Sequence, residues 1–221
     1  MRTWGFLTNH AHVLIQIARN PRTTVREIAL ESGITERAAI SVLQDLRRSG
    51  IARASREGRQ NVYWVDTKTL AKHRPWGASP MEIPDALVSA TVAGVTRLVE
   101  SNGARPKPPA ASPHTNGDDS RRWGFLTNHA LVLINIIGRP HSTVREIALE
   151  AGITERATHA VLQDLSEAGI VDRERRGRRN SYSVNFANLE GYRREGTAPD
   201  LVPSGFVSFL MSALVDLRPA P

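Results

Sequence analysis

Apolar residues recur at helical spacing in three short stretches near the start of the chain. In the first, Val13, Leu14 and Ile17 form one stripe, predicting a helix that runs to about Arg19. Thr8 or Asn9 can cap its start, and Pro21 ends it. Trp4, Phe6 and Leu7 are expected to pack over that helix start. The second stretch opens on Thr24-Val25-Arg26-Glu27, a capping box, and carries Val25, Ile28, Ala29 and Leu30. It stops at Ser32-Gly33, where glycine accepts the left-handed backbone of a tight turn. The third begins at a capping Thr35 and stops at Gly50. At ~100° per residue, Thr35, Ala38, Ala39, Val42, Leu43, Leu46 and Ser49 share a small, apolar face. Arg37, Ile40, Ser41, Gln44, Arg47 and Arg48 point the other way.

After Gly50 the period changes from helical to alternating. Residues 51–56 and 62–66 read as two β-strands joined around Gly58, with Tyr63 and Val65 on the inner face. Two helices separated by Gly33-Ile34-Thr35 form a helix-turn-helix, and the hairpin behind them is a wing. Such a pair places its second helix in a DNA major groove.

The whole pattern comes twice. Trp4–Asp66 and Trp123–Asn185 align at an offset of 119 residues without a gap, with 40 identities in 63 positions. Beyond them, Leu70/Leu189, Arg74/Arg193, Pro80/Pro199, Pro84/Pro203 and Leu98/Leu217 keep the offset. The apolar face of the third helix is nearly unchanged between copies, as are Arg37/Arg156 and Gln44/Gln163. The outward residues otherwise differ: His159, Ala160, Ser166 and Glu167 replace Ile40, Ser41, Arg47 and Arg48. One scaffold with two outward faces suggests related but unequal targets. A merely solvated helix face is the alternative for this helix taken alone.

Behind each wing lies an apolar tail. Pro84–Glu100 carries Leu87, Val88, Val92, Val95 and Leu98, and Pro203–Leu217 carries Phe206, Phe209, Leu210, Leu214 and Leu217. Both read as helices too apolar to stand free. Pairing of the two tails is the expectation, with packing on the parent domain the alternative. Residues 101–121 are rich in Pro, Ser, Asn and Gly, and read as a flexible linker. A coil of about 20 residues spans ~25 Å and reaches ~65 Å when taut. The expected organisation is therefore a domain at 1–100, a linker at 101–121 and a second domain at 122–221. The fold class is mainly α with small β-hairpin wings: two tandem winged helix-turn-helix domains, each followed by an apolar C-terminal helix.

Charge sharpens the reading. The chain carries +7, with 26 Arg against only Lys68, Lys72 and Lys107. Arginine's planar fork suits phosphate and the guanine edge. The tip Arg173-Glu174-Arg175-Arg176-Gly177-Arg178-Arg179-Asn180 is the most basic stretch. An Arg-rich wing can enter the minor groove or clamp phosphates.

The order of elements, with Ala29-Leu30-Glu31-Ser32-Gly33-Ile34-Thr35 before the third helix and a basic hairpin after it, resembles bacterial winged-helix transcriptional regulators of the MarR-like kind. The opening Trp4-Gly5-Phe6-Leu7-Thr8-Asn9-His10-Ala11 looks like a small single-domain subgroup of them. The resemblance covers roughly 60 residues of each copy. It implies DNA binding by Arg37, Ser41 and Gln44 on the helix and Arg56 and Arg59 on the wing. In the second copy it implies Arg156, His159, Gln163, Arg175, Arg176, Arg178 and Arg179. Thr35, Arg48, Asn61, Thr154, Arg173 and Asn180 complete the candidate contacts, with Thr35 and Thr154 favouring a phosphate at a helix start.

Other chemistry is not suggested. No Cys is present, which removes disulfides and thiolate metal sites and fits a cytoplasmic, nucleoid-associated protein. No apolar run approaches 18 residues, so no membrane span is read. The seven His show no metal spacing; His10 recurs as His129, which favours packing or capping. No phosphate-cradling Gly loop and no nucleophile with its base can be read, so neither an enzyme nor a cofactor is expected. The expected partners are double-stranded DNA and the two domains for each other as a pseudo-dimer, with a homodimer of chains possible. A protein-interaction module and a sequence-indifferent, nucleoid-type binder are the alternative functions.

Overall fold

The computed structural model describes residues 4–58, 60–72, 83–101, 123–176 and 179–192. The linker after Ser101, the second tail at 203–217, Arg59 and Arg178 lie outside the described residues. So do the side chains of Arg176 and Arg179.

The first half runs α1 (Asn9–Arg19), α2 (Val25–Ser32), α3 (Glu36–Arg48), β1 (Ala52–Glu57), β2 (Gln60–Val65), α4 (Thr67–Lys72) and α5 (Asp85–Glu100). The second runs α6 (Asn128–Gly138), α7 (Val144–Ala151), α8 (Glu155–Glu167), β3 (Val171–Arg176), β4 (Arg179–Val184) and α9 (Phe186–Gly191). α6 to α9 repeat α1 to α4 at the same 119-residue offset. The described residues are mainly helical with two small antiparallel hairpins, compatible with a winged helix.

Local chemistry sets these boundaries. Thr24 and Thr143 each accept a hydrogen bond from the amide of Glu27 or Glu146, whose carboxylate accepts in return from the threonine amide. Both capping boxes therefore satisfy two donors that a helix start leaves free. The turn into the third helix rests on Gly33 and Gly152, at φ 64° and 66°, where a side chain would be strained. Thr35 and Thr154 then cap α3 and α8 by accepting from Ala38 and Ala157. In the hairpins, Ala52 pairs with Val65 through to Glu57 with Gln60, and Val171 pairs with Val184 through to Arg176 with Arg179. Two residues remain at each tip, and Gly58 takes φ 62° there.

Two apolar clusters form. The first gathers Val13, Ile17, Ile28, Leu46, Ile51 and Leu70; the second gathers Val132, Ile136, Ile147, Leu165, Ile170 and Leu189. α1 is more central than a three-residue stripe implies: Ala11 to Ala18 are all buried, because α2, α3, α5 and β2 pack around it. β2 also departs from alternation, since Val62 and Trp64 are buried along with Tyr63 and Val65. The short helices α4 and α9 were not anticipated. Asp66 accepts from the Thr69 amide at 2.9 Å, and Asn185 from that of Asn188 at 3.0 Å. Leu70 and Leu189 seal the cores beneath them. The first tail folds as α5 and packs on α1 and α4 of its own half. Its expected pairing with the second tail concerns residues outside those described.

The segments before α1 and α6 depart most from the sequence expectation. Trp4 and Phe6 were expected over the start of α1; they pack instead against the second cluster, and Trp123 and Phe125 against the first. The two arms cross as an antiparallel bridge at Leu7 and Leu126. The Thr8 amide donates to the Phe125 carbonyl and the Thr127 amide to that of Phe6, both at 3.0 Å. Thr8 does not cap α1 through its side chain; its hydroxyl donates to the Gly124 carbonyl at 2.5 Å. Thr127 does both, accepting from Ala130 and donating to the Gly5 carbonyl at 2.6 Å. The reciprocity of these bonds gives the two halves a local two-fold relation.

Candidate nucleic-acid interface

α3 and α8 each bury one face and expose the other. Ala39, Val42, Leu43 and Leu46 are buried in α3; Thr158, Val161, Leu162 and Leu165 are buried in α8. Arg37, Ser41, Gln44 and Arg48 are exposed on α3, together with Thr35 at its cap. Arg156, His159 and Gln163 are exposed on α8, with Thr154 at its cap. Arg47 shares the α3 surface, and Ile40 is an exposed apolar side chain within it. Each helix thus brings its sequence-predicted residues onto one outward surface.

The two surfaces differ in charge and in internal bonding. On α3, Arg37, Arg47 and Arg48 outnumber Glu36 and Asp45; on α8, Glu155, Asp164 and Glu167 outnumber Arg156. Gln163 Nε2 donates to Glu167 at 2.8 Å, which fixes its amide one turn from its own backbone. In the first half Arg48 stands where Glu167 does, and it reaches Asp45 at 3.5 Å.

The wings carry the remaining candidates. Arg56 is exposed on β1, and its Nε donates to the Gly58 carbonyl at 3.3 Å, bracing the tip. Glu57 pairs with Arg22 at 3.4 Å, which ties the first wing to the α1–α2 turn. Arg176 stands in place of Glu57 in the second half, and His141 in place of Arg22. Arg173 and Arg175 are exposed on β3. Asn61 and Asn180 each reach a tyrosine hydroxyl, Tyr63 or Tyr182, at 3.5 Å. Both asparagines therefore have a partner within their own hairpin.

Sequence reasoning missed a connection behind the outward faces. His10 Nε2 lies 3.3 Å from Asp45 of α3, and His129 Nε2 lies 3.1 Å from Asp164 of α8. With the carboxylate ionised, the imidazole holds its hydrogen on Nε2 and donates it. The other half stacks on each ring: Trp123 on His10 at 4.5 Å and 6°, Trp4 on His129 at 4.3 Å and 4°. Tyr192 covers the far side of Trp4 at 4.3 Å and donates its hydroxyl to the Trp4 carbonyl. The expected packing role of His10 and His129 is met, with the partner ring supplied from across the molecule.

Burial pushes both histidines below their ordinary pKa, and the adjacent aspartates oppose that only in part. The unfolded chain titrates near ~6.5 and so takes up protons that the folded chain resists. The stability these sites contribute is full above that value and is lost as pH falls through the lower folded values. Urea midpoints should therefore drop between pH 7.5 and 5.5, and drop less in a His10→Gln, His129→Gln variant. An equal drop in both proteins would rule the two histidines out as the cause.

Among the described residues no group of His, Asp and Glu could hold a metal ion, and no helix is long and apolar enough to cross a membrane. Helix, helix, outward helix and hairpin define a winged-helix type of unit. Residues 123–179, from the arm through α8 into the second hairpin, match the model of the MarR family. The match supports a DNA-binding transcription regulator in general terms. No curated protein matches the chain.

Proposed function

We propose that the chain is a sequence-specific, double-stranded DNA-binding transcription regulator with two unequal reading heads in one polypeptide. The observation that carries this reading is the pair α3 and α8: one buried scaffold and two different exposed faces, in halves joined by reciprocal arms. The family match falls on the second half, and the first half repeats that stretch at a fixed offset. In this reading α3 and α8 enter successive major grooves, and the wings rest on the backbone or in the minor groove. Half-sites one turn apart lie ~34 Å centre to centre.

Gln44 and Gln163 suit adenine, and Arg37 and Arg156 suit guanine. Ile40 offers an apolar contact to a thymine methyl, where His159 offers a ring nitrogen. The bound site is then an imperfect palindrome with a preferred orientation, contacted by one chain acting as its own pseudo-dimer.

Footprinting on random genomic fragments tests this. Discrete protection supports the reading, a smear points to sequence-indifferent binding, and no protection points to a protein-interaction module. On a protected site, Gln44→Ala should relax preference at one base pair by ~1–3 kcal/mol. If that change weakens every sequence alike, Gln44 does not read bases. Two chains per minimal site, with both halves protected equally, would replace the single-chain reading by a homodimer.

A further inference from the structure

We propose that each aromatic arm sets the outward helix of the opposite half, so that Trp4 and Trp123 are positioning residues acting across the molecule. This rests on the two-headed reading above for its DNA consequence, but its structural part stands alone. The path is short in both directions. Trp4 stacks on His129, and His129 donates to Asp164, which follows Gln163 on α8. Trp123 stacks on His10, and His10 donates to Asp45, which follows Gln44 on α3. All four His and Asp side chains are largely shielded, at 13 to 19% exposure, so water competes weakly for these bonds.

The geometry has a consequence for how the heads behave together. Asp45 and Asp164 sit at the edge between the buried and exposed faces of their helices. Anchoring such a residue to α1 or α6 fixes the helix's rotation, and with it the direction of the neighbouring glutamine. The ring that holds each anchoring histidine in place comes from the other half. Neither head is then fully ordered unless it receives the arm of the other half. The reciprocal Thr8–Phe125 and Thr127–Phe6 hydrogen bonds hold the exchange in register.

The test is hydrogen exchange on the full chain, with footprinting as its second readout. Trp4→Leu keeps apolar bulk but removes the stack. It should speed exchange in residues 155–167 by roughly threefold or more and leave 36–48 unchanged, since the stack on His129 is lost together with the contacts to Tyr192 and Phe6. Trp123→Leu should do the reverse. His129→Gln and His10→Gln, which alter only the middle of each path, should loosen α8 and α3 respectively; Trp4→Phe and Trp123→Phe, which keep a smaller ring, should loosen the same opposite helices to a lesser degree and decide the matter if a Leu variant fails to fold. Loosening of the helix in the arm's own half, of both helices equally, or of neither would overturn the proposal. On DNA, Trp4→Leu should fade the half-site that Gln163→Ala also affects. Discrete wild-type footprints with fading on the wrong half would sink the arm assignment alone. No wild-type footprint, together with the predicted exchange pattern, would sink the DNA reading alone.

Discussion

Phe125→Ala is expected to destabilise the first half of the molecule, although residue 125 belongs to the second. Phe125 is 2% exposed and lies in the cluster built by α1, α2 and α3. Truncating a buried phenylalanine costs ~3–5 kcal/mol through lost transfer energy and the cavity left behind. Total stabilities are only ~5–15 kcal/mol, so the urea midpoint should shift clearly. Amides of α1 and α3 should lose more protection than those of α6 and α8. Phe6, its counterpart against the second cluster, is half-buried, so Phe6→Ala should cost less. A loss below ~1 kcal/mol, or one felt mainly in α6 and α8, would mean that the arms do not exchange in solution.

The helices were legible because caps, periodicity and glycines agreed: Thr24 with Glu27, the apolar face of residues 35–49, and the left-handed Gly33. The hairpin was legible from Gly58 between two β-type runs. The partner of each arm was not, for a physical reason. Trp4–Ala11 and Trp123–Ala130 are identical, and so are His10 and His129, on whose rings the tryptophans stack. Either arm therefore fits either docking surface, and no hydrophobic pattern distinguishes packing at home from packing across. The unchanged eight-residue arm was itself a signal, since a segment that only covered a helix start would tolerate exchange of one apolar residue for another. The short helix α4 was missed because six residues carry too little periodicity; its capping Asp66 was the available clue. On the outward faces, residue type told which side chains point away. It did not tell that Gln163 is held by Glu167, or that Glu57 ties the first wing to Arg22.

The second wing should dominate the salt dependence of binding. α8 carries more acid than base, so on the proposed reading its approach to phosphate is repelled where that of α3 is favoured. The hairpin offsets this. Arg175, Arg176, Arg178 and Arg179 flank Gly177, whereas the first wing has Arg56 and Arg59 with an acidic Glu57 already bonded to Arg22. Each phosphate contact contributes about 0.9 to the slope of log K against log salt. Replacing Arg175, Arg176, Arg178 and Arg179 with Gln should therefore flatten that slope by roughly three to four, and replacing Arg56 and Arg59 by about two at most. Because phosphate contacts carry no sequence information, cognate and random duplexes should weaken together in both variants. Fluorescence anisotropy across ~50–200 mM salt, on a footprinted site and on a scrambled one, measures both quantities. An unchanged slope would place the second wing away from DNA. A loss confined to the cognate duplex would make its arginines readers of bases or of a narrowed minor groove, in place of clamps on the backbone.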